Sequence, residues 1–361
     1  MSTRIFNFSA GPAMLPTCVM EKAQAEFCNY NGIGNGIMEL SHRGPAFQEV
    51  IDRAEHNIRS LMNIGEDYEI AFLQGGASMQ FAQIPMNFML PGGFAEYADT
   101  GMWAAKAIKE AERFGDVKII ASSKDTKYDK VPIVRHWHPD MDASYTHITS
   151  NNTIYGTQYH AFPENSTAPL IADMSSDIMS REIDVNLFGM IYAGAQKNLG
   201  PSGVTLVIIR KDLLERSPDT IPTIFNYNTQ VSKGSMFNTP PTFSIYMLAL
   251  VTDWLREMGG ISVIEDINDA KSEVLYERIQ TSGYYNCPVE PYSRSKTNIV
   301  FNLPTPELEA KFVKDAEVEG MIGLKGHRAI GGIRASIYNS MPLHGVERLL
   351  DFMDKFEQYN G

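Results

Sequence analysis

The chain has 361 residues, of which 43% are hydrophobic and 20% are charged, and its formal net charge at pH 7 is −12. A single core rarely grows beyond about 250–300 residues, so this length predicts two domains. Nucleic-acid-binding proteins usually carry a basic excess or a basic stripe, and since neither is present, the composition favours a protein that acts on small molecules.

The cysteine content and the apolar runs predict a cytoplasmic protein. Cys18, Cys28 and Cys287 are odd in number and form no C-x-x-C pair, so we expect no disulfide framework. The opening segment MSTRIFNFSAGP has no long apolar stretch, which argues against a secretory signal. The apolar run at 203–210 is too short to cross a bilayer.

Helical and strand patterns alternate along most of the chain, which is typical of an α/β fold with a mostly parallel sheet. Residues 45–62 show apolar side chains at helical spacing behind Pro45, a residue that suits the first turn of a helix. Short apolar runs predict strands at 68–73, 117–122, 169–174, 189–195 and 203–209, and periodic segments predict further helices at 77–88, 102–114, 242–258 and 262–281.

The pattern changes after about residue 285 to that of a smaller α+β unit. We expect the extended N-terminal segment to pack with this unit. The predicted domains are therefore a large domain over 16–262 and a small domain made of 1–15 and 263–361. The late elements are a strand at 297–303, a helix at 306–320, a strand at 333–338 and a helix at 343–358.

Lys197 and Asp173 are the first candidates for chemistry. Lys197 follows the apolar strand segment IYAGAQ, and Asp173 ends another apolar strand 24 residues earlier. Ligands of open α/β sheets bind at the carboxyl ends of strands, so both side chains can point into one cleft. A desolvated lysine becomes nucleophilic towards an aldehyde, and a carboxylate can keep the pyridine nitrogen of pyridoxal phosphate protonated. Alone, Lys197 is better explained as an ordinary turn lysine and Asp173 as a helix-cap or loop aspartate, whereas the pair is more informative.

Two further features suit a phosphorylated aromatic ligand. The segment LQGGAS (73–78) ends a strand and opens a helix, where the backbone N–H groups of Ala77 and Ser78 can bind phosphate. Trp103 opens a helix after another strand and can stack on a pyridine ring. The alternatives are a glycine-rich turn without a ligand and a core tryptophan, because the segment matches neither a Walker loop nor G-x-G-x-x-G.

Two basic clusters lie among glycines and apolar residues rather than in charged runs. Guanidinium groups bind carboxylates and phosphates through paired hydrogen bonds, and a nearby histidine adds a donor. Surface salt bridges are the alternative. The clusters predict a substrate with two anionic ends, and they consist of His42 and Arg43 in SHRG, and of Lys325, His327, Arg328 and Arg334 in LKGHRAIGGIRAS.

Seven segments spread along the chain from residue 5 carry a specific similarity: FNFSAGPA (6–13), SHRG (41–44), GMWAAKAIKEA (101–111), YAGAQKNLGPSG (192–203), GSMFNTPPTF (234–243), KGHRAIGGIRASIYN (325–339) and MPL (341–343). They resemble the phosphoserine aminotransferase family of class V aminotransferases. The resemblance implies the fold-type I architecture of enzymes that use pyridoxal 5′-phosphate (PLP). In that architecture helices flank a mostly parallel central sheet in a large domain, beside a smaller α+β domain.

The resemblance also implies cofactor contacts. Lys197 would hold PLP as a Schiff base and move a proton between the substrate Cα and the cofactor, Asp173 would pair with the pyridinium nitrogen, and Trp103 would stack on the ring. The other implied contacts are Thr153, Gln196, Ala77 and Ser78, with Asn238 and Thr239 reaching the phosphate from the neighbouring subunit of a homodimer. Some family members carry an arginine where this chain has Ser78, which leaves the detail of phosphate binding open.

The implied reaction transfers the amino group of L-glutamate to 3-phosphohydroxypyruvate, giving O-phospho-L-serine and 2-oxoglutarate by a ping-pong mechanism in serine biosynthesis. Arg334 would bind the α-carboxylate, and His42, Arg43, His327 and Arg328 would receive the distal phosphate or carboxylate, some of them from the partner subunit. Action on a phosphorylated hydroxythreonine in pyridoxine biosynthesis stays open.

Other functions fit the residues less well. Alanine–glyoxylate and serine–pyruvate aminotransferases handle substrates without a terminal phosphate, which would leave the basic pairs without a task. A cysteine desulfurase needs a reactive loop cysteine, and no such loop surrounds Cys287. A non-catalytic protein of this fold would have lost the lysine or the aspartate, and a nicotinamide-dependent dehydrogenase would carry a dinucleotide fingerprint. No metal site is predicted.

Overall fold

The computed structural model describes residues 4–164 and 168–361. The helices in this part of the chain are α1 (Thr17–Glu26), α2 (Pro45–Met62), α3 (Gly76–Phe88), α4 (Met102–Ala111), α5 (Lys211–Leu214), α6 (Tyr227–Ser232), α7 (Thr242–Glu257), α8 (Ile261–Thr281), α9 (Pro306–Val318) and α10 (Leu343–Asn360). The strands are β1 (Phe6–Asn7), β2 (Tyr68–Leu73), β3 (Phe94–Asp99), β4 (Asp116–Ser122), β5 (Thr146–Thr149), β6 (Asn151–Asn152), β7 (Thr157–Gln158), β8 (Leu170–Asp173), β9 (Met190–Gly194), β10 (Thr205–Arg210), β11 (Asn298–Phe301), β12 (Met321–Ile322) and β13 (Ile333–Ser336).

The central sheet has seven strands in the order β2-β10-β9-β8-β5-β3-β4. Strand β10 runs antiparallel to both of its neighbours, and the pairs from β9 to β4 are parallel. The prediction of an α/β fold with a mostly parallel sheet is therefore confirmed. Because β8, β5 and β3 are parallel neighbours, their carboxyl ends lie along the same edge, and that edge carries the candidate site.

Helices cover both faces of the sheet, which explains why its strands are apolar on both sides. Ile191 and Ile208 belong to one core, which includes residues of α2 and α7. Their chain neighbours Tyr192 and Val207 belong to a second core, which includes residues of α3 and α4. This alternation is the two-residue period of a strand, and it accounts for the nearly continuous apolar runs that made β9 and β10 recognisable.

A separate core lies in the late part of the chain. Phe312 of α9 and Leu349 of α10 pack there with Phe8 from the N-terminal segment. Strand β1 pairs with β12, and β11 pairs with β13, so the N-terminal segment packs with the late unit as expected.

Helix α8 contributes to both cores. Ile261 and Ile264 belong to a core of the central sheet, and Leu275 and Ile279 belong to the late core. A domain boundary between residues 262 and 263 stays a prediction, since it falls in the first turn of a helix that the two cores share. Within residues 4–164 and 168–361, no helix is both long and apolar enough to span a bilayer.

Candidate active site

The candidate site is a cavity of about 420 Å³ at the carboxyl edge of the central sheet. Asp173 is the last residue of β8, and Lys197 lies three residues beyond the end of the adjacent parallel strand β9. The two residues predicted to share a cleft therefore line the same cavity. Its lining consists of Ala10, Gly11, Gly75, Gly76, Ala77, Ser78, Trp103, Thr153, Ile154, Asp173, Ser175, Gln196, Lys197, His327 and Arg334.

The Lys197 amine is held in place and partly deprotonated. Its Nζ donates a hydrogen bond to Oγ1 of Thr153 at 2.6 Å. Burial lowers the pKa of Lys197 to about 8; the positive charge of Arg334 acts in the same direction, while Asp173 opposes the shift. About a tenth of the amine is then unprotonated and nucleophilic at pH 7.

The Asp173 carboxylate is oriented by Ser175. Its Oδ1 accepts hydrogen bonds from the Ser175 backbone N–H at 2.9 Å and from the Ser175 hydroxyl at 2.6 Å. The Ser175 hydroxyl oxygen in turn accepts a bond from the N–H of Gly194 at 3.0 Å. Burial raises the pKa of Asp173, and Lys197 and the Ser175 bonds offset only part of that effect. The second oxygen accepts no hydrogen bond from the part of the chain that the structure describes, so it is available to an N–H group of a ligand.

The start of α3 forms an anion-binding end of the cavity. Gly75 and Gly76 precede Ala77 and Ser78 with φ values of +91° and +65°, a conformation that favours glycine. The first N–H groups of a helix lack partners within that helix, and no acidic side chain occupies the first turn of α3. The glycine turn therefore presents free N–H groups to the cavity, where they can bind a phosphate.

Trp103 forms an aromatic wall of the cavity. The Nζ of Lys106 lies 4.4 Å from the centroid of its ring, and the Nζ of Lys197 lies 5.5 Å from it. Its Nε1 is buried without a hydrogen-bond partner among the described residues. Lys106 was not singled out from the sequence, although its position three residues after Trp103 places it on the same face of α4.

Arg334 and His327 supply a positive group and a donor group to the same cavity. Nη1 of Arg334 donates to the carbonyl of Thr153 at 3.4 Å, while its Nε is buried with no partner in the described part of the chain. Nδ1 of His327 accepts a bond from the N–H of Ala329 at 3.2 Å. Burial and the nearby charges of Arg334, Arg328 and Lys106 lower the pKa of His327, which favours the neutral ring. The proton then lies on Nε2, which can donate to an anion.

Five predicted site residues do not line this cavity. His42 and Arg43 precede α2, and Arg328 is exposed beside His327. Asn238 and Thr239 lie next to Gln74: the Gln74 amide donates to the Thr239 carbonyl at 2.9 Å, and the Asn238 amide approaches Gln74 at 3.4 Å. Lys325, from the same basic cluster as His327, is exposed and forms a bridge with Ile333. The roles of all these residues stay predictions.

Several lining residues were missed from the sequence. Gly11 packs so closely that a Cβ on it would lie 3.3 Å from Cγ of Lys197. The neighbouring Ala13 N–H donates to the Gln196 carbonyl at 2.9 Å. The segment FNFSAGPA contributed to the resemblance, but nothing in its local pattern says that it folds over a lysine almost 190 positions later. Ser175 carried a weak signal, since a serine two residues after an aspartate often donates back to it.

A model of the family described as Aminotransferase class-V matches residues 5–349. The chain belongs to the class-V aminotransferase family. This class-V aminotransferase is 51% identical over 360 residues to the phosphoserine aminotransferase of Desulfotalea psychrophila, an alignment that covers 100% of this chain and 99% of the relative.

Solved structures of similar proteins agree with the family assignment. The phosphoserine aminotransferase from Bacillus circulans subsp. alkalophilus matches with a TM-score of 0.98 at 49% identity, and the match covers 99% of each chain. The PLP-bound phosphoserine aminotransferase from Trichomonas vaginalis matches with a TM-score of 0.92 at 37% identity, covering 97% of this chain and 100% of the other. The class-V aminotransferase therefore has the fold that the sequence resemblance implied.

Proposed function

We propose that this chain is a phosphoserine aminotransferase that transfers the amino group of L-glutamate to 3-phosphohydroxypyruvate, giving O-phospho-L-serine and 2-oxoglutarate. The observation that carries the proposal is the single cavity in which a low-pKa lysine and a buried carboxylate meet Arg334 and His327. Full-length similarity to phosphoserine aminotransferases supports the same reaction.

The cavity residues fit PLP as the cofactor. The start of α3 would hold the phosphate, the free Asp173 oxygen would meet the pyridinium N–H, and Trp103 would cover a ring face. Lys197 is the amine for the aldehyde, with Thr153 and Gln196 beside it. When bound, PLP supplies an electron sink that stabilises negative charge at the substrate Cα.

The protein's own groups bind the substrate and move the proton. The Lys197 amine would take the proton from the substrate Cα, a task for which a pKa of about 8 suits an enzyme that works near neutral pH. Arg334 would bind the α-carboxylate through N–H groups that Thr153 leaves free. His327 and Arg328, with His42 and Arg43, would bind the distal phosphate of one substrate and the distal carboxylate of the other.

We also propose that the enzyme is a homodimer with shared active sites. Asn238 and Thr239 do not line their own cavity, although they lie beside Gln74, the residue that precedes the glycine turn. Large apolar side chains near this segment are exposed, with Ile224 at 43% and Phe237 at 41%. A second copy covering this surface would bury them and bring Asn238 and Thr239 to the partner's phosphate.

A cytoplasmic role in serine biosynthesis completes the proposal. Cys18, Cys28 and Cys287 are free thiols, which suits a reducing compartment. A phosphorylated hydroxythreonine has the same two anionic ends as phosphoserine, so it is a second substrate to assay for a role in pyridoxine biosynthesis.

The test is an assay of the purified protein with L-glutamate and three acceptors: 3-phosphohydroxypyruvate, pyruvate and glyoxylate. We expect O-phospho-L-serine to form with a kcat/KM far above that of the unphosphorylated acceptors. Arg328→Ala should raise KM for phosphohydroxypyruvate about tenfold or more, the size of one lost charge-assisted hydrogen bond. Arg348→Ala, which changes a surface arginine paired with Glu319, is the control and should have no effect. Preference for pyruvate or glyoxylate would show instead an alanine–glyoxylate or serine–pyruvate aminotransferase.

A further inference from the structure

His327 and Arg328 lie on a short hairpin between β12 and β13. Its two arms are joined by the bonds from the Arg334 N–H to the Leu324 carbonyl at 2.8 Å and from the Gly326 N–H to the Gly332 carbonyl at 2.9 Å. Within the loop, the His327 carbonyl accepts bonds from the N–H groups of Ile330 and Gly331, both at 2.9 Å. The loop over 326–332 is therefore closed on itself by its own backbone hydrogen bonds.

Glu309, which lies on α9 and not on the hairpin, forms a hydrogen bond with the base of the hairpin. It is the fourth residue of α9, and its Oε2 accepts a hydrogen bond from the Gly332 N–H at 3.0 Å. Its Oε1 accepts bonds from the Asn302 amide at 3.2 Å and from the Leu303 N–H at 3.4 Å. One carboxylate thus joins three elements: the hairpin, the end of β11 and the start of α9.

The loop also borders a cavity. A cavity of about 670 Å³ separates Ala329, Ile330 and Gly331 from Lys124 and Tyr128 of the central-sheet unit. Within residues 4–164 and 168–361, the side chains that hydrogen-bond the backbone of the loop are Glu309 and the loop's own His327. The bond from the Gly332 N–H to Glu309 therefore adds a side-chain contact at the base of the loop, next to the point where Ile333 pairs with Phe301 of β11.

The backbone at Gly332 is shaped for this contact. Its φ is +70°, and a Cβ there would lie 2.7 Å from Nδ2 of Asn302 and 2.9 Å from the Phe301 carbonyl. Only glycine lets the hairpin approach β11 closely enough for its N–H to reach Glu309. The glycines of the sequence GGIR therefore allow the contact between Gly332 and Glu309 and do not serve only to make the loop flexible.

We propose that Glu309 is a positioning residue for the distal anion of the substrate, acting through the hairpin that carries His327 and Arg328. Glu309 does not line the substrate cavity. Its carboxylate fixes the base of the hairpin, and the hairpin places the imidazole and guanidinium groups where a phosphate or carboxylate binds. This inference rests on the proposed function, since it concerns the distal-anion site of that reaction.

Glu309→Gln is the informative variant because it keeps the shape of the side chain. Both Glu309 oxygens accept from N–H groups, so the new amide must point its own N–H at one of these donors. Glu317→Gln is the matched control, since Glu317 is an exposed residue near the end of the same helix. Glu309→Asp keeps two acceptor oxygens on a shorter side chain and should recover part of the function.

The experiment uses the PLP-loaded enzyme. For Glu309→Gln we expect KM for 3-phosphohydroxypyruvate and for glutamate to rise about tenfold, the effect of roughly one hydrogen bond to a charged group. Both kcat at saturation and the affinity for PLP should stay within about twofold of the wild type, because the cofactor contacts are untouched. Hydrogen exchange at the Gly332 N–H should become faster in this variant and not in Glu317→Gln.

Four results would overturn the inference. KM values equal to those of Glu317→Gln would show that the contact between Glu309 and Gly332 does not position the site. Faster exchange at Gly332 without a change in KM would show the same. A rise in KM with a fall of similar size in kcat and in PLP affinity would show that Glu309 has a general structural role. A wild-type enzyme that is inactive on phosphohydroxypyruvate would overturn the proposed function together with this inference.

Discussion

At the scale of single residues, the chemistry depends on what burial does to Lys197 and Asp173. Burial penalises the charged form of each, lowering the pKa of Lys197 to about 8 and raising that of Asp173. Their mutual attraction acts against both shifts, and the Ser175 hydrogen bonds act against the shift of Asp173. The cavity therefore contains a nucleophilic amine and a carboxylate with one oxygen available, which are the two groups that an aldehyde-bearing pyridine requires.

The pKa of Lys197 makes capture of PLP dependent on pH. In the cofactor-free protein the capture rate should rise about tenfold per pH unit below pH 8 and level off above it, because only the neutral amine attacks the aldehyde. The measurement is the rate of the absorbance change on adding PLP between pH 6 and 9.5. A rate that keeps rising tenfold per pH unit up to pH 9.5 would show an ordinary lysine.

The same shift has a consequence for stability. The folded-state pKa of Lys197 lies below its ordinary value of 10.5, so between about pH 8 and 10.5 the unfolded chain binds more protons than the folded chain. This residue therefore disfavours folding below pH 8, by an amount on the order of 3 kcal/mol, and the cost disappears as pH rises through that window.

The sequence was sufficient to predict the site residues that lie at the ends of regular elements. Lys197 and Asp173 follow apolar strands, so their place at the sheet edge could be predicted from the pattern alone. Gly11 and Ser175 act through contacts that depend on the tertiary fold. Asn238 and Arg43 do not line the cavity, and no local pattern connects them with it.

At the scale of elements, we propose that the turn into α3 binds the phosphate through its backbone. Gly76 has a φ of +65° and open space around the position of a Cβ, so Gly76→Ala tests conformation and not crowding. The left-handed conformation costs a non-glycine residue about 1–2 kcal/mol, which should weaken PLP binding about tenfold. Binding of pyridoxal, which has no phosphate, should change little.

Gly65→Ala is the matched control for this turn. Gly65 also has open space and lacks the left-handed φ, so its substitution should leave PLP affinity unchanged. The dissociation constants for PLP and pyridoxal can be obtained by absorbance titration. Equal weakening of PLP and pyridoxal in Gly76→Ala would mean that the turn supports the whole cavity and not the phosphate.

Most elements were predictable because they follow a clear period, and the exceptions have a physical cause. Strands β8, β9 and β10 are buried on both faces and read as apolar runs, so their predicted bounds differ from the observed ones by one or two residues. Strand β5 has the sequence THIT and was not predicted. It is fully buried between β8 and β3, where His147 bonds the hydroxyl of Tyr192 at 2.9 Å. Tertiary partners, not hydrophobicity, place it in the sheet.

At the scale of the whole molecule, the proposed dimer predicts that two inactive variants can restore each other. Lys197→Ala removes the amine, and a double variant with Asn238→Ala and Thr239→Ala removes the groups proposed to cross the interface. In a mixed dimer, one site would combine the intact lysine of one subunit with the intact Asn238 and Thr239 of the other. Random mixing should then recover about a quarter of the wild-type activity.

The measurement is the activity of co-refolded or co-expressed mixtures, with each variant assayed alone as the reference. Sedimentation of the mixture should show a dimer. No recovery in a mixture that is dimeric would mean that Asn238 and Thr239 serve the site of their own chain.

Lys197 is the centre of the proposed mechanism, and Lys271 is the lysine against which it is best tested. The pKa of Lys271 is lowered by burial to about 7, so a low pKa alone does not identify the cofactor lysine. However, its Nζ donates to the carbonyl groups of Ile337, Tyr338 and Met341 at 2.9–3.0 Å, and it lines none of the described cavity. Its amine is fully occupied, whereas that of Lys197 faces an open site.

The most direct measurement is borohydride reduction of the PLP-loaded protein, followed by mass mapping of its peptides. Reduction fixes the cofactor to the amine that holds it. We predict a single pyridoxyl-phosphate label on Lys197 and loss of that label in Lys197→Ala. A label on Lys271 or on any other lysine of the wild-type protein, or no label at all, would contradict the proposed site.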